Sequence, residues 1–344
     1  MAEASLATEP DWLIERRRKG ASLVSELALP TAKQKGWEFT DLSGLEIATF
    51  EPVDSTIEGL EPREGDGGGP VVMPLAEAAS RLPQVVRENL GSLVGEADPF
   101  VARNDAAWRD GVLVWVPRGQ RLEAPLRLEV TAGSGGASAW RALIVLEEGA
   151  EAEVWERYAG EAPGAGGNGG GAQGEGLFNA VVELVVGDGA NLRYVCQQEL
   201  SERSWVFATQ RAEVGRDASL EWVALGFGSA QGKVRMETRL AGRGSSAKVT
   251  GAYAGTGTQH LDYDTTQEHA AEDTTSDLSF RGVLGDHATA VWRGMIRVDP
   301  GAQRTDAFQD CRNLLLARTA HADAIPGLEI EADDVRCTHA AAVA

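Results

Sequence analysis

Cys337 and His339 place a thiol and an imidazole two residues apart, in the run Val335-Arg336-Cys337-Thr338-His339. Alternate side chains of an extended strand point the same way, so Val335, Cys337 and His339 fall on one face. A thiolate and an imidazole presented together are two ligands for a soft or borderline metal. Two ligands do not close a four-coordinate site. If a metal binds there, the remaining ligands come from elsewhere, and another subunit is a natural source. The plainer alternative is that Cys337 acts as a small buried hydrophobe, with His339 a hydrogen-bonded structural group.

A second concentration of ligand-type residues lies in Gln259-His260-Leu261-Asp262-Tyr263-Asp264, with His269 beyond it and Glu268, Glu272 and Asp273 nearby. The spacing of His260, Asp262 and His269 matches neither His-x-His nor His-Glu-x-x-His, so it names no metal. A polar surface loop accounts for the same residues. Other chemistries have less to stand on. No Gly-x-Ser-x-Gly elbow offers an acyl-transfer nucleophile, and no pair of carboxylates is marked out as acid and base. The Gly-rich tract at 160–176 lacks a Gly-Lys-Ser/Thr ending, so it is read as a flexible surface loop and not as a phosphate cradle. Cys196 sits in an apolar strand pattern and reads as core, while the role of Cys311 stays open.

The elements that must position these residues follow from the rest of the chain. It has 344 residues, 43% of them hydrophobic and 24% charged, with a formal charge of −20. That charge disfavours nucleic acid and anionic membrane as partners. Three cysteines in such a length are no disulfide framework and suit a reducing compartment. Neither a signal peptide nor a membrane-spanning apolar run is visible, so the cytoplasm is the expected location.

Residues 9–28 read as a helix, with Trp12, Leu13, Leu23, Val24 and Leu27 on its apolar stripe. Trp37 and Phe39 suggest a short extended piece, 61–69 a linker, and 75–93 helix with a break at Pro83. Residues 1–100 are thus expected as a mainly helical N-terminal region and 101–344 as a β core. Within the core a strand–corner–strand unit recurs, with corners starting at Gly187, Gly215, Gly242 and Gly285, in steps of 28, 27 and 43 residues. The long step is read as an insertion at 255–275. Glycine at the corners suits a bend at positive φ. Such a repeat predicts stacked coils of a parallel β-helix, a flattened solenoid; an antiparallel sandwich or barrel is the alternative.

Four stretches carry a resemblance to a known family: Gly36-Trp37-Glu38-Phe39-Thr40-Asp41-Leu42, Asp110 to Gly119, Gln259-His260-x-Asp262 with His269, and the segment from Gly294 to His339. The chain resembles the SufB/SufD family of iron–sulfur cluster assembly proteins, its SufD branch in particular. The resemblance implies a right-handed parallel β-helix and a non-catalytic scaffold. It also implies pairing with a SufB-like subunit, and homodimers when the chain is isolated. A nascent iron–sulfur cluster would be held transiently at the shared interface rather than as a resident cofactor. By the same resemblance, Cys337 and His339 are the interface ligands, with His339 facing a cysteine of the partner. The family's SufC-like ATPase partner is held by C-terminal helices that do not appear here. The family's usual His-Gly-Ala-Thr-Val-Gly reads His339-Ala340-Ala341-Ala342-Val343-Ala344. A carbohydrate-active β-helix enzyme is the alternative function.

Overall fold

The computed structural model describes residues 9–65, 68–95, 97–160 and 176–344. The expected loop at 160–176 lies, from 161 to 175, outside the described residues. Four helices occupy the N-terminal part: α1 (Asp11–Glu26), α2 (Leu75–Arg81), α3 (Pro83–Asn89) and α4 (Pro99–Ala107). Pro83 separates α2 from α3, because a proline in a helix interior removes a hydrogen bond and clashes with the preceding turn. Asp98 caps α4 by accepting from the amides of Phe100 and Val101.

Three short strands, β1 (Thr56–Glu58), β2 (Arg63–Glu64) and β3 (Val71–Pro74), thread between these helices. Then come β4 (Asp110–Val116), β5 (Leu126–Ala132), β6 (Ala137–Leu146), β7 (Glu151–Gly160), β8 (Gly176–Val186) and β9 (Asn191–Glu199). The middle of the core holds β10 (Ser204–Val214), β11 (Ser219–Gly226), β12 (Gln231–Leu240), β13 (Ser246–Gly255) and β14 (His260–His269). The last five strands are β15 (Thr275–Leu284), β16 (Thr289–Val298), β17 (Thr305–Leu315), β18 (His321–Ile330) and β19 (Val335–Val343).

From β4 onward the strands alternate between two sheets. One runs β1-β5-β7-β9-β11-β13-β15-β17-β19 and the other β18-β16-β14-β12-β10-β8-β6-β4-β3-β2. Every pairing from β4 to β19 is parallel, while β1, β2 and β3 join antiparallel. This is the expected parallel β-solenoid, and the antiparallel alternative is excluded. Because β1 and β3 are built into the two sheets, the N-terminal region is stitched to the core. The segment at 61–69, expected as a linker, contributes β2 to a short hairpin with β3.

Residues 255–275 are not an insertion. They hold β14 and the corner that follows it, half of a coil, with β14 paired in register between β12 and β16; the corner at Gly285 lies on the opposite side, joining β15 to β16. The corner after β14 has no glycine: Asp273 takes the positive φ of 58° that Gly189 and Gly244 take elsewhere. The first glycine of the corners at Gly187, Gly215 and Gly242 has a role other than the one expected, while Gly285 has no such close contact and is followed at once by Asp286 at positive φ. A Cβ on Gly242 would lie 1.9 Å from the Arg216 amide nitrogen, and one on Gly187 would lie 2.7 Å from the Leu146 carbonyl oxygen. Glycine stands there because consecutive coils touch backbone to backbone; positive φ comes two residues later. One residue further on, Ala150, Ala190, Ala218, Ser245, Thr274 and Ala302 form a buried column of small side chains.

The lumen is packed with inward aromatics, such as the Tyr253–Tyr263 stack at 5.6 Å between ring centroids. The ten-stranded sheet carries the helices on its outer face. There Phe100 of α4 stacks on Phe207 at 3.9 Å and on Trp37 at 5.4 Å. Trp37 is buried, but in a run of turns rather than the short strand expected for it.

Candidate functional site

The solenoid ends in two free strand edges, β19 of one sheet and β18 of the other. Parallel strands direct the N–H and C=O of alternate residues to opposite neighbours. In β19 the even-numbered residues face β17: Asp334 accepts from Arg304, and Ala344 both donates to Asn313 and accepts from Leu315. The backbone groups of Val335, Cys337, His339, Ala341 and Val343 therefore face the open edge. In β18 the odd-numbered residues face β16, as His321 donating to Ala288 shows, and so does Glu331 just beyond the strand, donating to Val298. Pro326 consequently stands in the middle of the other free edge, where it supplies no N–H.

Cys337 and His339 are on β19, as the alternation predicts. Cys337 is in register with Ala307, and His339 with Gln309. Ala307, Gln309 and Cys311 face the interior and are buried, so Cys337 and His339 continue the inner face of the coil. Cys337 is half-buried against Ile296, Val298, Ala302 and Ala307. Burial, with Asp306 nearby, pushes its thiol above the usual range. His339 is exposed, with no coil among the described residues packed over it. Among the described residues it makes no hydrogen bond. Beside it, Gln309 donates through Nε2 to the Gly327 carbonyl at 2.9 Å, while its buried Oε1 has no partner. Two residues of strand rise separate the two candidate ligands by about 7 Å between Cα atoms. Both lie on the edge strand, on the face that continues the interior of the coil.

The second candidate set does not come together. His260 and His269 stand at opposite ends of β14, about 30 Å apart at strand rise. His269 faces inward, fully buried, with its ring nitrogens 2.8 Å from Thr274 Oγ1 and 2.9 Å from Ser276 Oγ. Burial pulls its pKa down to about 4. Asp262 faces outward beneath the segment around Trp37, where it accepts from Thr40 and pairs with Lys233 Nζ at 2.8 Å. His260 bonds Thr289 Oγ1 at 2.8 Å, and desolvation lowers its pKa. Nor is the stretch a polar surface loop; it is a buried strand whose charges are neutralised one by one. No group of three or more His, Cys, Asp or Glu is placed to hold a metal among the described residues.

Cys196 is core, as its strand pattern indicates. It lies in register with Glu156 on the preceding coil, and Gln210 Nε2 donates to its sulfur at 3.4 Å. Glu156 is an inward carboxylate that sequence inspection missed. It accepts from Trp140 Nε1 at 2.9 Å, from Tyr158 OH at 3.0 Å and from Tyr194 OH. Its only advance signal was a charge at an inward position of an alternating strand. Cys311 is buried next to Tyr253 and Asn313.

A parallel β-solenoid with helices packed on one of its sheets is the structural class, and sequence comparison supplies the family. The family model for the SUF system FeS cluster assembly SufBD core domain matches residues 129–344, from β5 to the end of β19. The chain belongs to the SufBD family of iron–sulfur cluster assembly proteins. It is 28% identical to the iron–sulfur cluster assembly protein SufD of Bacillus subtilis, over 97% of this chain and 82% of that protein. It is also 28% identical to the SufBD family protein Rv1462 of Mycobacterium tuberculosis, over 91% of this chain and 75% of the relative. It is therefore SufD-like, and the carbohydrate-active alternative is set aside. No helix among the described residues is long and apolar enough to cross a membrane.

Proposed function

We propose that this chain is a non-catalytic scaffold subunit of cytoplasmic iron–sulfur cluster assembly, pairing end to end with a SufB-like subunit. The observation that carries this reading is the geometry of β19. The same residues, Cys337 and His339, direct their side chains along the inner face and their backbone groups to the unpaired edge. An unpaired edge is a template for another strand, and a thiolate with an imidazole is half of a coordination set for iron. A strand added by the partner supplies both the missing backbone partners and the missing ligands. The cluster is cargo in this scheme: iron and sulfide arrive, are held between the two chains, and leave. ATP hydrolysis belongs to a SufC-like partner. Three free thiols suit a reducing compartment.

The test is anaerobic reconstitution with ferrous iron and sulfide in the presence of the SufB-like subunit from the same cell. His339→Ala is expected to reduce the cluster absorbance at least severalfold while leaving the complex formed. An unchanged yield removes His339 from the scheme.

A further inference from the structure

The outer face of the nine-stranded sheet carries many charged side chains, and near its C-terminal end a row of exposed apolar side chains crosses several coils. Ala254, Val283 and Leu314 are direct register partners on β13, β15 and β17. Phe227 extends the row by one coil, since Gly226 just before it pairs with Tyr253. Leu316, just past the end of β17, flanks Leu314 on the same coil. Phe227 is 41% exposed, Val283 39%, Leu314 50% and Leu316 67%. Isolated exposed apolar side chains need no explanation; a contiguous row of them along several coils marks an interaction surface.

The margin of the row has a defined charge. Arg281 and Arg312 are register partners on its flank. Both bind one carboxylate: Arg281 Nη2 lies 2.7 Å and Arg312 Nε 3.2 Å from Asp310 Oδ2. Two guanidinium groups against one carboxylate leave a positive edge on a chain whose formal charge is −20.

We infer that this row is the docking surface for an amphipathic helix with an acidic margin, contributed by the partner subunit that meets the open end. This rests on the pairing proposed above. Successive coils are about 4.8 Å apart, so Phe227 to Leu314 spans about 14 Å. An α-helix laid along the solenoid axis repeats its i, i+4, i+7 and i+11 positions at about 5–6 Å, close to the coil spacing over three turns. Sheet faces are covered by helices in this way, and the other sheet of this protein already is, by α4 on Phe207. The row ends at Leu314 and Leu316, next to the edge where the partner strand joins, so one partner reaches both.

Affinity for the SufB-like subunit, measured by surface plasmon resonance with the full chain, tests this. Val283→Glu and Leu314→Glu are each expected to weaken binding at least tenfold. Thr250→Glu, on the same sheet face but off the row, is expected to leave it unchanged. Circular dichroism verifies the fold of each variant. In parallel, Val283→Cys carrying a photoactivatable cross-linker should attach to a helical, acid-flanked segment of the partner. Wild-type affinity in both glutamate variants, or cross-links confined to this chain, overturns the helix assignment and leaves the end-to-end pairing standing. Failure of the unmodified chain to bind the SufB-like subunit overturns both.

Discussion

Lys233 Nζ lies 2.8 Å from Asp262 Oδ1, with both side chains about 98–99% shielded from water at relative exposures of 2% and 1%. The pair sits on neighbouring coils and is roofed by Trp37, whose ring centroid is 5.8 Å from Lys233 Nζ. Thr40 supplies a further hydrogen bond to Asp262. The pair thus fastens the N-terminal segment to the sheet. Removing one partner strands a buried charge, which costs about 3–5 kcal/mol. Lys233→Met alone should destabilise the protein by roughly that much in urea unfolding. The double variant Lys233→Met/Asp262→Leu should recover most of the loss. An additive double variant would show that the two side chains do not act on each other.

His269 makes stability depend on acid. Its folded pKa, about 4, lies below the ordinary histidine value because burial disfavours the imidazolium. The unfolded chain therefore binds the proton first. The contribution is complete above about pH 6.5 and is lost progressively as pH falls toward the folded value. Its size is about 2–3 kcal/mol between neutral pH and pH 4. Unfolding measured at pH 7.5 and pH 5 should show this slope in the wild type, and a shallower one in His269→Gln.

The three cysteines should separate in a thiol titration. Burial raises the Cys196 thiol to about 12 and the Cys311 thiol to about 11, and both side chains are enclosed. Cys337 is only half-buried, at the open edge. At pH 8 a disulfide reagent should modify Cys337 alone in the native chain and all three after denaturation. Prompt labelling of Cys196 in the native state would show that the coil opens there.

Pro326 interrupts the free edge of β18, so Pro326→Ala restores a donor at the centre of that edge. One or two new backbone bonds between copies, each worth about 1 kcal/mol net, should tighten self-association about fivefold to thirtyfold. Analytical ultracentrifugation reads this directly. No change would mean that β18 takes no part in contacts between chains.

Much of this architecture could be read in advance, and the reasons are specific. Corners announced themselves wherever glycine was required by the coil beneath, as at Gly187 and Gly242. The corner after β14 stayed hidden because Asp273 adopts the left-handed conformation without glycine, and its column position is filled by Thr274. β14 looked like a loop because Asp262 and Asp264 are polar. Lys233 and Arg293, which make such residues tolerable on a covered face, are 29 residues away on either side. That Cys337 and His339 share one face of a strand was legible from alternation alone, since two positions of one strand need no tertiary information. The row at Phe227, Val283 and Leu314 was not, because its members are neighbours only after three coils have been stacked.

The repeated hydrogen-bond offset makes this solenoid a ruler. Each added or deleted turn would shift Cys337 and His339 by about 4.8 Å relative to the helices clamped at the other end. It would leave the orientation of their strand almost untouched. The number of coils therefore sets the reach between whatever grips the N-terminal helices and whatever meets the seam.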